Sequence, residues 1–237
     1  MTERTKTAAS GSLRRPRRRA SSPAPSETRA RLLSVASAMF AERGVDAVSV
    51  RDVCTAAGAN VAAVAYHFGG KEGLHLEALR ASLRGMRERV LPRLLPADPD
   101  PVVRLLAHIG AFAAAMLGPE ADAVAPRMIL RELARPSVAL RRVAEEFLRP
   151  NFEELRALVA EIAGIRAESD ALDLHVLGVV ALVVHCRTAA PVVRAQLGHG
   201  DAYPSGFAAR VARHAAAQLF HGVGRSDLVP RAAEIEA

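Results

Sequence analysis

Two short apolar stretches, Val50 to Ala57 and Val61 to His67, lie between glycine breaks: Gly58 separates them and Gly69-Gly70 closes the second. Neither persists alone as a helix, because nucleation is costly and so few residues return few hydrogen bonds. They need a neighbour to lean on. The preceding segment provides one, with Leu32, Leu33, Val35, Ala36, Met39 and Phe40 recurring at helical spacing until Glu42-Arg43-Gly44 supplies a stop. Pro25-Ser26-Glu27 offers its start, with Ser26 as N-cap and an acid in the first turn. Ser49-Val50-Arg51-Asp52 has the form of a capping box, and Asn60 is placed to cap the next helix. Three helices, the last two joined by a tight glycine turn, form the helix-turn-helix pattern.

A helix that enters a groove about 12 Å wide needs a slim middle, and Ala62 and Ala63 provide one. Val61, Val64 and Phe68 fall at the spacing that faces neighbouring helices. Asn60, Ala63 and His67, with Tyr66 beside them, occupy the remaining face. Lys71 opens the following helix, where a positive charge and free amides hold a phosphate together, and Arg51 lies similarly in the first turn of its helix. The competing assignments are solvated surface charges for Arg51 and Lys71, and half-buried packing for Tyr66.

The remainder reads as all-α. A helix from Lys71 to about Val90 meets the prolines 92, 96, 99 and 101, and further helices follow over about 101–118, 126–134, 137–163 with Pro150 inside, 170–190 and 206–221. Half of the residues are hydrophobic but only 4% are aromatic, which suits helices packed through small and aliphatic side chains. Leu172 to Thr188 is apolar nearly all round, so it belongs in a core or a subunit interface, and Gly178 and Ala181 permit close helix approach. Cys54 and Cys186 are isolated and read as small core residues of a reducing compartment. The longest apolar run, Val176 to Val184, is nine residues, against about 20 for a membrane span. No apolar segment follows the basic start, so a secretory signal is not expected, and a soluble, cytoplasmic protein with no membrane partner is.

The net charge of +7 is concentrated at one end: residues 1–25 hold seven Arg or Lys against one acid, leaving the remainder at +1. Rich in Pro, Ser and Arg, this segment is expected to be a disordered basic arm. It serves either as a solubilising tail or as an arm that condenses onto phosphates, with affinity falling as salt rises.

Residues 28 to 44, T-R-A-R-L-L-x3-A-x2-M-F-A-E-R-G, and 49 to 74, S-V-R-D-V-C-T-A-A-G-A-N-V-A-A-V-A-Y-H-F-G-G-K-E-G-L, resemble the DNA-binding domain of the TetR family of transcriptional regulators. M-I-L-R-E-L-A-R-P-S-x-A-L (128 to 140) and F-L-R-P-N-F-E-E-L-R-A-L (147 to 158) resemble the ligand-sensing domain of the CecR-like subgroup. The resemblance implies a homodimer whose fourth helix links a DNA-binding head to a helical ligand domain, with the last two long helices of each subunit forming a four-helix interface. By position it implies phosphate contacts at Thr28, Arg51, Tyr66 and Lys71. Groove contacts are implied at Asn60, Val61, Ala62, Ala63 and His67. The sequence departs in placing Ala65 where many members carry an aromatic. The expected organisation is an arm over 1–25, a DNA-binding domain over 26–72 with its motif at about 49–68, a ligand-sensing and dimerisation domain over 73–222, and a tail over 223–237.

The function expected is a sequence-specific transcriptional regulator, a repressor released by a small-molecule effector and bound to a palindrome on double-stranded DNA. The alternative is a sequence-tolerant nucleic-acid-binding protein relying on the arm. For the effector, Phe112, Met116, Met128 and Leu130 are apolar lining candidates, while His108, Arg127, Arg131, His175 and His185 are polar ones. No cofactor is expected. Catalysis is not supported, because G-x-S-x-G, H-E-x-x-H, P-loop and G-x-G-x-x-G patterns are missing. Nor is a metal site: His175 and Cys186 share a helix face but lie eleven residues apart, about 16 Å.

Overall fold

The computed structural model describes residues 24–94, 98–119, 121–166 and 169–235. Among them are eleven α-helices and no strand: α1 (Pro25–Arg43), α2 (Val50–Ala57), α3 (Val61–Phe68), α4 (Lys71–Leu94), α5 (Pro101–Leu117), α6 (Val124–Ala134), α7 (Val138–Val143), α8 (Arg149–Ala163), α9 (Asp170–Thr188), α10 (Ala190–Gln196) and α11 (Phe207–Gly222). A π-helical turn (Ala144–Leu148) joins α7 to α8, and a 3-10 helix (Ser226–Glu234) follows α11. The expected disordered arm lies outside the described residues except for Ala24 and Pro25.

Three boundaries differ from the sequence reading. Helix α1 is capped by Ala24, which makes no side-chain cap bond, so Ser26 is inside the helix; Pro25, with its fixed φ and missing N–H, suits the first position. Helix α4 runs on through Pro92 to Leu94. The expected helix over 137–163 is interrupted by the π turn immediately before Pro150. A proline ring clashes with the carbonyl four residues back, here that of Glu146, and the wider turn, in which Arg149 N–H reaches the Ala144 carbonyl, gives that carbonyl room.

Two hydrophobic clusters form the core. One gathers Leu32, Phe40, Val53, Val64, Leu74 and Leu79 from α1 to α4, and it also takes in Met128 and Ile129 of α6 and Val143 of α7. The other packs α5, α8, α9 and α11 through residues such as Leu105, Ile109, Val159, Leu172 and Phe220. The segment expected as a tail joins this second cluster through Ala232 and Ile235, and Arg213 donates to the Ile235 carbonyl at 2.8 Å. Cys54 and Cys186 are both buried, and burial pushes both thiols up.

Candidate nucleic-acid interface and cavity

Local chemistry fixes the α2–α3 unit. The capping box at the start of α2 is formed: Asp52 N–H donates to Ser49 Oγ at 3.1 Å and Ser49 N–H to Asp52 Oδ2 at 2.9 Å. That amide, with the Ser49 hydroxyl, holds the Asp52 carboxyl below its ordinary range. Gly58 ends α2 in the left-handed region at φ 58°. Asn60 Oδ1 then caps α3 by accepting from Ala62 N–H at 2.9 Å. Val64 and Phe68 are buried against α1 and α4, each worth about 1.5–3 kcal/mol. Gly73 has no room for a side chain, since a Cβ there would fall 1.8 Å from the Phe68 carbonyl oxygen. The first turn of α4 therefore closes onto the end of α3, bringing Lys71 beside it.

What remains of α3 faces outward. Tyr66 is 81% exposed, and Val61, expected to face the neighbouring helices, is 47% exposed. Val61 lies within about 20° of Phe68 round the helix axis, but it is the first residue of α3, so Val64 and Phe68 take the contact and Val61 is left at the rim. Asn60, Ala62 and Ala65 are exposed, Ala63 and His67 are half-buried, and the His67 ring stands edge-on to Tyr66 at 4.9 Å. Arg51 is exposed; Thr28 and Lys71 are half-buried. Ala65, noted in the sequence only as a departure, sits on the outer face.

Polar ties join this head to the rest. Arg29 of α1 lies over the Phe68 ring and donates to Glu77 of α4 at 2.9 Å. Arg80 donates to Glu77 at 2.9 Å and, through Nε, to Glu146 of the π turn at 2.7 Å. His75 and Glu132 form a buried pair at 3.2 Å, and Glu132 also accepts from the amide and hydroxyl of Ser137. Burial lowers the His75 pKa despite the facing carboxylate. The sequence reading passed over Glu132, although it falls at helical spacing on the apolar stripe of Ala125, Met128 and Ile129, and a charge on such a stripe is the signal that would have found it.

A cavity of about 580 Å³ is bounded by α4 through α9 and the π turn and opens to solvent at a rim that includes Leu133, Leu148 and Leu177. Of the ligand-contact candidates, Phe112, Met116 and His108 line it. Arg127, Met128, Arg131 and His175 do not. Met128 belongs to the head-side cluster and accepts from Ser82 Oγ at 3.3 Å. Arg131 donates to the carbonyls of Ala41 and Glu42, tying α6 to the end of α1. His175 packs on Gly222, where a Cβ would fall 2.5 Å from its ring. The wall contributed by Leu83 and Met86 of α4 escaped the sequence reading, since these residues look like ordinary core positions.

A two-turn outward helix set by a glycine turn on an all-helical body with an apolar chamber defines a helix-turn-helix regulator class. Residues 32–78 match the family described as bacterial regulatory proteins, tetR family, and residues 101–223 match the C-terminal domain of the HTH-type transcriptional dual regulator CecR. The chain belongs to the TetR family, of the CecR type, and is a DNA-binding transcriptional regulator, not an enzyme. It is 26% identical over 170 residues to the dual regulator CecR of Shigella flexneri, covering 68% of this chain and 76% of that one. Its fold resembles AibR, solved with isovaleryl coenzyme A and operator DNA, at TM-score 0.58 and 18% identity over 82% of this chain and 98% of that one. It also resembles PfmR of Thermus thermophilus, at TM-score 0.54 and 24% identity over 85% and 94%.

Proposed function

We propose that this protein is a homodimeric repressor that reads a palindromic operator through α3 and is released by a small, largely apolar effector held in the cavity. One observation carries this reading: α4 begins at Lys71, beside the exposed face of α3, and fifteen residues later presents Met86 to the cavity, a span of about 22 Å. An effector that fits better when α4 has shifted would move both heads. To take the equilibrium from 1:99 to 99:1 its affinities for the two forms must differ by about 5.5 kcal/mol. Tight binding without that difference moves nothing.

In this reading Arg51, Thr28, Tyr66 and Lys71 hold phosphates, while Asn60, Val61, Ala62, Ala63 and His67, with Ala65, approach the bases. With one lone pair of its amide oxygen engaged at the cap, Asn60 keeps its NH2 and one acceptor site for base contact. So few polar readers, each contributing about 1–3 kcal/mol, fall short of the roughly 4–10 kcal/mol typical of specific binders unless two heads cooperate. Dimerisation through α9 and α11 is supported by the outer face of α9, where Leu174 is 69% exposed and Leu177, Gly178 and Ala181 lie beside it. By length and composition α9 also meets the criterion for a membrane-crossing helix. Its other face, however, carries Leu172, Val176, Val179 and Val183 into the core. Half-sites would lie about 34–36 Å apart.

Selection of bound fragments from a random DNA pool, with and without residues 1–23, tests the proposal. A two-fold symmetric motif retained by both forms is the expected result. Binding that lacks sequence preference and vanishes with the arm would establish the sequence-tolerant alternative instead.

A further inference from the structure

The cavity has a second lobe of about 140 Å³, which shares Leu83, Met86, His108, Phe112, Leu148 and Asn151 with the main chamber. His108 thus stands where the two lobes meet. Its side chain is almost wholly enclosed, at 3% exposure, and Nδ1 has no hydrogen-bond partner among the described residues. Nδ1 is itself closed to solvent, but the ring that carries it borders both lobes, and a buried polar atom left unpaired is costly, so a ligand group that reaches this ring meets an unsatisfied imidazole. Burial pushes the His108 pKa down to about 4. The ring is therefore neutral at pH 7, with one nitrogen donating and the other accepting.

The charges around the two lobes are mixed in sign: Arg141 and Arg149 border the main chamber with Glu145, and Arg87 borders the side lobe with Glu154. A fully charged ligand group brought to the junction would give up its hydration to face a neutral imidazole, the uncharged amide of Asn151 and apolar side chains. An uncharged group loses far less.

We propose that His108 is the polar anchor of the effector and selects an amphipathic molecule with an aliphatic body in the main chamber and one uncharged hydrogen-bonding group, an alcohol or a carbonyl, at the junction of the lobes. This rests on the reading of the cavity as the effector site. It adds a specificity-determining residue and a ligand chemistry. The anchored group lies against Leu83 and Met86, so the same contact that selects the ligand presses on α4.

The full chain contains no Trp, which allows binding to be followed with the uncharged fluorophore N-phenyl-1-naphthylamine. The dye is displaced at pH 7.5 by 1-decanol, decanoate or decylammonium from the wild type, His108→Leu and His108→Gln. Displacement is scored against each protein's own dye affinity, and in the wild type the alcohol outcompetes both ions by about tenfold, the scale of one well-placed hydrogen bond with the charge penalty added. His108→Leu weakens the alcohol by roughly five- to tenfold, and His108→Gln restores most of the loss. If the dye binds but the alcohol is held equally by wild type and His108→Leu, or if decanoate is held more tightly than the alcohol, the anchor proposal is overturned while the cavity reading stands. If the dye does not bind the wild type at all, the effector-cavity reading falls and takes the anchor with it.

Discussion

Mild acid should destabilise this protein through one enclosed imidazole, and the size of the effect follows from its position. His108 takes up a proton at an ordinary pKa near 6.5 when unfolded but only at about 4 when folded, because burial disfavours the charged ring. Between those two values the unfolded chain binds more protons than the folded one, so stability rises with pH across the window and is lost as pH falls through it. From the two pKa values the loss at pH 5 relative to pH 7 is about 2 kcal/mol. His75, whose pKa burial also lowers, acts in the same direction. The carboxylates held low by partners, such as Asp100 with Arg231 and Asp122 with Arg187, come into play only below about pH 4. Urea unfolding followed by circular dichroism at pH 7 and pH 5, on wild type and His108→Leu, separates the contributions, because the variant keeps every titrating group but one. The wild type should lose about 2 kcal/mol more than the variant between the two pH values. Equal losses would refute the claim that His108 is a neutral, desolvated wall residue.

Lys71→Ala should weaken DNA binding across all sequences and reduce the slope of log affinity against log salt by about 1, with no change in melting temperature; an unchanged slope would remove Lys71 from the phosphate contacts. Glu132→Ala leaves His75 and both donors of Ser137 without their acceptor in a buried site. It should cost about 3–5 kcal/mol and lower the melting temperature by about 6–20 °C in a scanning calorimeter. Leu174→Glu places a charge on the exposed apolar face of α9 and should convert dimer to monomer in sedimentation velocity at micromolar protein, whereas an intact dimer would exclude that face as the interface. Arg80→Met removes the donor that joins α4 to Glu146. It should leave operator affinity within about threefold while blunting the response to an effector, as expected when a coupling tie and not a contact is cut.

The capping box at Ser49, the glycine stop at Gly58 and the Asn60 cap are interactions between residues two to four positions apart, so local sequence was enough to place α2 and α3. The same holds for the all-helical class and for the inward positions of Cys54 and Phe68. Boundaries failed where a proline had two outcomes: Pro92 is carried inside α4, whereas at Pro150 the helix widened into a π turn. Local spacing does not say whether a helix carries its proline or widens ahead of it.

The ligand-contact candidates divide in the same way. Phe112, Met116 and His108 lie on one helix and reach one cavity, whereas Arg131 and His175 were placed by partners distant in the chain, the carbonyls ending α1 and the bare backbone of Gly222. Local sequence determined the helices, their caps and the slim outward face of α3, because those depend on hydrogen bonds and periodicities spanning a turn or two. Only tertiary packing decided that Val61 faces out, that Glu132 pairs with His75, and that α4 carries Lys71 at one end and a cavity wall at the other. Each depends on which distant surface arrives to exclude water, and no short stretch of chain specifies that.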